Sequence, residues 1–147
     1  MALLSTADQQ KLRDAFNEMT SSVRLLFFTQ ALECETCPQT KQILDELPPL
    51  SDKITIEEVN FVLERDRATG FGIDRVPAVA LERLDADGNV HDARIRFIGT
   101  PSGYEFISLV HAVLLVGGSG SNLSTKSLQR IATVDKPVTM QVFTTPT

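Results

Sequence analysis

The sequence VRLLFFTQALECETCP, residues 23–38, contains a strand-like run, a short loop and two cysteines in immediate succession. Residues Val23–Phe28 are apolar except for one arginine, which is typical of a strand that is buried on both faces of a sheet. Cys34 and Cys37 follow and, together with Pro38, predict the beginning of a helix. A buried strand that leads directly into a helix indicates an α/β fold.

The rest of the chain supplies the other elements of such a fold. The predicted elements, in chain order, are a helix over 6–19, the strand over 23–28, the helix that the two cysteines open, a strand over 53–59, a helix over 61–72, strands over 76–84 and 93–98, and a helix over 102–116. The turn signal DADGN joins the last two strands and predicts an antiparallel hairpin. We therefore predict a four-stranded mixed sheet flanked by helices, with an extra N-terminal helix.

Residues 119–147 repeat features of the beginning of the chain. A glycine- and serine-rich connector precedes a capped helix over 124–134 and an apolar strand over 138–143. The segment KPVTMQVFTTPT has the pattern of SSVRLLFFTQAL, and an LST triplet precedes the helix in both regions. We interpret residues 1–118 as one complete unit and residues 119–147 as the first helix and strand of a second unit. The unpaired strand is expected to pair with a sheet edge, to swap between two chains of a dimer, or to lie loosely packed.

Composition and charge exclude several classes of protein. The chain has 147 residues, of which 42% are hydrophobic, and this is enough for one globular domain. Its formal charge of -5 disfavours non-specific binding to nucleic acid or to an anionic membrane. No apolar run reaches the roughly 20 residues of a membrane-spanning helix, and the N-terminus does not resemble a signal peptide, so the expected location is the cytoplasm.

The spacing of the two cysteines favours thiol-disulfide chemistry. A thiolate at the N-terminus of a helix is stabilised by unpaired backbone N–H groups, which lowers the pKa of Cys34. Cys37 can form a disulfide with Cys34 or resolve a mixed disulfide that Cys34 has formed. Glu33 and Glu35 flank Cys34 and oppose the effect of the helix. We therefore expect the pKa of Cys34 to lie only modestly below its ordinary value.

Val76 and Pro77 form a second candidate element at the beginning of the third strand. A proline is tolerated there because the first residue of a strand can lack a ladder donor, and only X-Pro bonds readily become cis. A cis bond would turn the backbone N–H and C=O of Val76 towards an extended substrate polypeptide.

The cysteine pair alone also allows half of a zinc site or two buried apolar side chains. Zinc would need two more ligands, and His91 and His111 do not have a ligand spacing. The acidic turn Asp85–Asn89 lacks the glutamate of a calcium loop, and the glycines of Gly117–Gly120 lack the spacing of a phosphate loop. We therefore predict no metal ion and no cofactor.

The combination of these motifs resembles the thioredoxin and glutaredoxin superfamily. More narrowly, FIGTPSGYEF at 97–106, residues 114–118 and the closing KPVTMQVFTTPT are similar to the glutaredoxin-like protein disulfide oxidoreductases. That family contains two tandem thioredoxin-fold units and is related to the N-terminal domain of the flavoprotein subunit of alkyl hydroperoxide reductase. The resemblance covers nearly the whole chain. It implies that Cys34 and Cys37 are the redox pair of the first unit and that Pro77 is the cis-proline.

Two departures from the family pattern affect the prediction. The second unit of the family has its own CxxC, which would follow Thr147. The position six residues before Cys34 carries a buried acid in thioredoxins, whereas here it is Phe28. Proton transfer is therefore expected to depend on water or on Glu33 or Glu35, or to be slower.

We predict a thiol-disulfide oxidoreductase that acts on protein disulfides, with Cys34 as the nucleophile and Cys37 as the resolving thiol. The alternative is a non-catalytic domain that docks a partner redox unit or a flavoprotein reductase, because the first unit of the peroxide-reductase relatives lacks its cysteines. The resemblance also implies a thioredoxin-reductase-like flavoprotein as a partner.

Overall fold

The computed structural model describes residues 3–145 and contains one sheet with helices on both faces. The helices are α1 (Thr6–Phe16), α2 (Cys37–Asp45), α3 (Arg65–Gly70), α4 (Tyr104–Val116) and α5 (Thr125–Ala132), with a short 3₁₀ turn at Pro48–Leu50. The strands are β1 (Ser22–Thr29), β2 (Ile54–Asn60), β3 (Ala78–Leu84) and β4 (Val90–Ile98). No helix within the described residues is both long enough and apolar enough to cross a membrane.

The four strands form a mixed sheet in the order β2-β1-β3-β4. β1 pairs in parallel with β2 and antiparallel with β3, while β3 and β4 form the antiparallel hairpin. The structure thus confirms the predicted four-stranded mixed sheet and the predicted hairpin. β1 is central, and its residues Leu25–Phe28 are at most 1% exposed, as a strand covered on both faces requires.

Side chains of β1 alternate between two hydrophobic clusters on opposite faces of the sheet. Leu25 and Phe27 belong to the larger cluster, which also contains side chains of α1, α2 and α4. Leu26 and Phe28 belong to the smaller cluster, beneath α3. Cys37 lies in the larger cluster, so only one of the two β1 faces is turned towards the cysteines.

The helix α3 begins later than its apolar spacing predicts. The side chain of Asn60 accepts hydrogen bonds from the backbone N–H groups of Val62 and Leu63, both at 3.0 Å. This turn satisfies two backbone donors without a helix, so α3 starts only at Arg65.

The structure confirms the predicted helix beyond the connector but not the strand predicted after it. In α5 the Ser124 side chain caps the N-terminus by accepting a hydrogen bond from Ser127 N–H at 3.2 Å. Within the part of the chain that is described, residues 138–143 form no strand, and Phe143 is 88% exposed. The strand prediction was therefore wrong for this structure. An alternating apolar pattern does not form a strand unless neighbouring backbone groups pair with it.

The two ends of the folded core meet at Gly117. Its C=O accepts hydrogen bonds from the backbone N–H groups of Thr20 at 2.8 Å and Ser21 at 3.0 Å. A Cβ atom at Gly117 would lie 2.6 Å from the terminal methyl of Met19 and 2.8 Å from its Cγ, so a larger residue there would force the buried Met19 side chain to shift. Because Ser22 begins β1, the end of α4 lies beside the N-terminal end of the central strand.

Candidate active site

Cys34 and Cys37 form a disulfide between β1 and α2. Their Cα atoms are 5.4 Å apart, which is an ordinary separation for a disulfide. Cys37 is the first residue of α2, whereas Cys34 lies in the preceding loop, so the helix begins at the second cysteine rather than at the first. Cys37 is 3% exposed and Cys34 is half-buried. Cys34 is therefore the more accessible of the two cysteines.

The beginning of α2 is fixed by Thr36 and its neighbours. Thr36 is the N-cap, and Pro38 fits the first turn because its missing N–H would have no partner within the helix. The hydroxyl of the buried Thr40 donates to the C=O of Thr36 at 2.9 Å and lies 2.8 Å from the hydroxyl of Thr100. These contacts hold the first turn of α2, which begins with Cys37, against the segment that precedes α4.

Glu33 and Glu35 lie on either side of Cys34 and are exposed. Glu33 has a φ of 58°, in the left-handed region, and the Gln30 side chain donates to the C=O of Leu32 at 2.7 Å within the same loop. Neither carboxylate forms a hydrogen bond or an ion pair with any residue between 3 and 145. Their effect on the pKa of Cys34 stays a prediction.

The Val76-Pro77 peptide bond is cis, as predicted. Pro77 is buried, and its C=O accepts a hydrogen bond from Gly99 N–H at 2.8 Å. Val76 is half-buried and packs against both hydrophobic clusters, whereas Cys34 packs against the larger one. Among the described residues its backbone N–H and C=O have no backbone partner. Binding of a substrate to these groups stays a prediction.

A cavity of about 230 Å³ lies beside the disulfide. Both cysteines line it, together with Phe27 from β1, Lys41 from α2 and Glu58 from β2. The sequence-based prediction of the site did not include the last three residues. A larger cavity, of about 350 Å³, lies between the N-terminal segment and α2 and α4, and no cysteine lines it.

The side chain of Phe28 does not face the cysteines. It packs beneath α3, in contact with the tilted ring of Phe71 at a centroid distance of 5.8 Å. The β1 residue that lines the cavity is its neighbour Phe27. The comparison of Phe28 with the buried acid of thioredoxins was therefore wrong in position. A continuous apolar run does not reveal which of its residues faces which side of the sheet.

Lys41 and Glu58 form an ion pair within the cavity lining. The Lys41 ammonium also lies 3.6 Å from a carboxylate oxygen of Asp45. The hydrogen bond to Glu58, reinforced by Asp45, raises the pKa of Lys41 above its ordinary value. Lys41 therefore stays positively charged throughout the pH range in which thiols exchange.

Two spacing signals could have located this pair in the sequence. Lys41 follows Cys37 by about one helical turn, so the two side chains share a face of α2. Glu58 continues the alternation of Ile54 and Ile56, which belong to the larger hydrophobic cluster or pack against it. Once the face of the sheet that carries α2 is known, these two rules place a lysine and a glutamate beside the cysteines.

The residues from 3 to 145 contain no group of three or more His, Cys, Asp or Glu side chains that could hold a metal ion. His91 contacts Asp85 at 3.1 Å in the hairpin turn. The hydrogen bond with the His91 side chain, together with two hydrogen bonds from Asn89, lowers the pKa of Asp85 to about 2. This acidic turn is thus held together by its own donors.

Comparison with known proteins gives the following relationships. No protein-family model matches the chain. It is 28% identical over 79 residues to a probable thioredoxin of Methanothermobacter thermautotrophicus, which covers 53% of this chain and 81% of that protein. It superimposes on the alkylhydroperoxide reductase AhpF of Enterococcus faecalis with a TM-score of 0.77 and 34% identity, covering 90% of this chain and 62% of that one. A protein disulfide oxidoreductase of Aeropyrum pernix has a TM-score of 0.69 and 22% identity, with coverage of 88% and 54%. The chain thus spans less than two thirds of both solved chains.

Proposed function

The chain belongs to the thioredoxin superfamily, and from this premise we propose that it is a thiol-disulfide oxidoreductase that exchanges disulfides with other proteins. The observation that carries the proposal is the Cys34-Cys37 disulfide, in which one cysteine is accessible and the other is buried. This asymmetry matches the two roles that the chemistry needs, an attacking thiolate and a resolving thiol.

In the proposed reaction the reduced protein is the electron donor. The Cys34 thiolate attacks one sulfur of the substrate disulfide, a mixed disulfide forms, and the other substrate sulfur leaves as a thiolate that takes up a proton. Cys37 then loses its proton and attacks Sγ of Cys34. The intramolecular disulfide forms and the second substrate sulfur leaves. Two electrons pass to the substrate, and the reverse sequence oxidises a substrate dithiol.

We also propose that the backbone of Val76 binds the substrate polypeptide. Its N–H and C=O have no backbone partner among the described residues, so an extended chain could pair with both groups. β3 begins at Ala78, which pairs with Phe28 near the end of β1 that leads to Cys34, so a chain bound at Val76 would lie at the same end of the sheet as the accessible cysteine.

The reduction of insulin by dithiothreitol tests the proposed activity. We expect the protein to accelerate the appearance of insoluble insulin B chain in proportion to its concentration. An unchanged rate would contradict the oxidoreductase and would favour the alternative, a non-catalytic domain that docks a redox partner. The intact cysteine pair supports the enzyme over this alternative.

We propose that a thioredoxin-reductase-like flavoprotein supplies the electrons that reduce the Cys34-Cys37 disulfide of this protein. The support is the similarity to the alkylhydroperoxide reductase AhpF over 90% of this chain. A donor of this kind keeps the cysteines reduced most readily in a reducing compartment, so we place the reaction in the cytoplasm.

The proposed role of Glu33 and Glu35 gives a prediction for cysteine alkylation. Replacing either residue by glutamine removes a negative charge beside the Cys34 thiolate, so the pKa of Cys34 falls. We expect the rate of alkylation by iodoacetamide near neutral pH to rise by up to about twofold, since both positions are exposed. The matched control is Glu18→Gln, an exposed residue in the turn that follows α1. An equal rise in that variant would contradict a local effect.

The apolar segment 138–143 is the proposed site of a dimer contact. Its side chains Met140, Val142 and Phe143 are each at least 84% exposed. We expect sedimentation to show a dimeric fraction that increases with protein concentration, and we expect amide exchange in this segment to slow as the dimer forms. Val142→Asp should weaken the dimer, whereas Asp135→Asn should not. A strict monomer with rapid exchange throughout the segment would contradict the contact.

A further inference from the structure

We infer that Glu58 accepts the proton that the Cys37 thiol gives up when it resolves the mixed disulfide, and that Lys41 is a positioning residue for Glu58. This inference rests on the proposed exchange reaction and adds the residue that handles its second proton. It is carried by the cavity that the two cysteines share with the Lys41-Glu58 ion pair.

The burial of Cys37 creates the need for such a residue. At 3% exposure Cys37 has almost no direct contact with bulk water, and no acidic residue of β1 lies beside it because the strand contains none. A buried thiol that must become a thiolate needs a nearby group that takes its proton. The cavity of about 230 Å³ has room for several water molecules, each of which occupies about 30 Å³ in the liquid.

Glu58 is suited to connect this cavity with solvent. Its side chain is 48% exposed, so the carboxylate belongs to the cavity lining and also reaches the surface. A proton received from the cavity can therefore pass on to bulk water. Lys41 is bound to Glu58 on one side and lies near Asp45 on the other, which restricts the carboxylate to the rim of the cavity.

The other charged groups near the cysteines do not fill this role. Asp45 lies on α2 beside Lys41 but does not line the cavity. Glu33 and Glu35 lie in the loop before α2, flank Cys34 in the sequence and are also absent from the cavity lining. Glu58 is thus the carboxylate that shares the cavity with Cys37.

The proposed step moves one proton and forms one disulfide. The Cys37 S–H bond breaks, and the proton passes through cavity water to the Glu58 carboxylate, which becomes a carboxylic acid. The Cys37 thiolate attacks Sγ of Cys34, the Cys34-Cys37 bond forms, and the bond between Cys34 and the substrate sulfur breaks. The substrate sulfur carries away the electron pair, and Glu58 returns its proton to solvent.

The reaction of the reduced protein with 4,4'-dithiodipyridine separates the two steps. This neutral disulfide releases one thiopyridone when Cys34 attacks and a second when Cys37 closes the ring, so a stopped-flow trace has two phases. We expect Glu58→Gln, which keeps the size and the hydrogen bond to Lys41, to slow the second phase about tenfold near pH 6. The first phase should change by less than about twofold, because Glu58 has no part in the attack by Cys34.

The pH profile distinguishes proton transfer from a structural effect. Near pH 9 hydroxide and the ionised thiol replace the base, so the difference between Glu58→Gln and the wild type should shrink to about twofold or less. Glu58→Asp should recover part of the rate near neutral pH. The matched control Glu18→Gln makes the same change at an exposed glutamate that does not line the cavity, and it should leave both phases unchanged.

Each outcome decides one question. A second phase that is equally fast in the wild type and in Glu58→Gln near pH 6 would overturn the role of Glu58 and leave the exchange function intact. Slowing by the same factor at every pH would also overturn it, because a structural change has no reason to vanish at high pH. The absence of the first phase from the wild type would instead contradict the proposed function itself.

Discussion

Cys34→Ser is expected to abolish the acceleration of insulin reduction, so that the rate falls to that of dithiothreitol alone. Serine keeps the size of the side chain, but its hydroxyl is not ionised at neutral pH and cannot form a mixed disulfide. Cys34 is the accessible cysteine, so the buried Cys37 cannot replace it as the attacking group. The insulin turbidity assay measures the loss, and circular dichroism checks that the variant is folded.

Cys37→Ser is the informative companion variant. It retains the attack by Cys34 but removes the thiol that resolves the mixed disulfide, so the protein should accumulate as a covalent adduct with its substrate. Mass spectrometry after mixing with oxidised insulin should detect this adduct in Cys37→Ser and not in Cys34→Ser. Full activity in Cys34→Ser, or the adduct appearing on Cys37, would reverse the assigned roles.

Arg24→Met is expected to reduce the free energy of unfolding by about 3 kcal/mol. The Arg24 guanidinium bonds Glu82 through Nε at 2.7 Å and through Nη2 at 2.6 Å, on the face of the sheet that carries α3. Glu82 is only 5% exposed, so removing its partner leaves a carboxylate uncompensated within the fold. Urea denaturation followed by circular dichroism measures the change.

Two further variants make this result specific. Arg24→Met combined with Glu82→Leu removes both charges and should recover most of the lost stability, because an apolar pair has no desolvation cost. The matched control is Arg83→Met, because Arg83 follows Glu82 in β3 and is exposed. This substitution should change the free energy of unfolding by less than about 0.5 kcal/mol. A loss below about 1 kcal/mol in Arg24→Met would show that solvent screens the pair.

Much of the fold follows from local signals in the sequence. The turn between β3 and β4 is an example, since the Asp85 side chain accepts hydrogen bonds from the backbone N–H groups of Asp87 and Asn89 at 3.0 and 2.9 Å. Such contacts lie within a few residues, so the residue types alone predict them. The position of the two cysteines after the central strand was predictable for the same reason.

The side chains that lie beside the cysteines depend on distant contacts, and these side chains were not predicted. Phe27 and Phe28 are chemically identical neighbours, and only the helices packed on each face of the sheet decide which of them lines the cavity. Glu58 lies beside the cysteines because β1 and β2 pair in a register that opposes Phe27 and Glu58. Residues 138–143 have the alternating pattern of a strand but do not form one, because none of the described strands pairs with their backbone.

The hydrogen bonds from Thr20 and Ser21 to Gly117 have a practical consequence for attaching other groups to this protein. The connector leaves the core beside the first residue of β1, whereas the cysteines follow its last residue. The eight residues of β1 span about 26 Å, so these two points lie at opposite ends of the sheet. A fluorophore, a surface anchor or a fused protein carried on residues 119–123 would therefore start from the end of the core opposite the reactive disulfide, leaving that face open to a substrate.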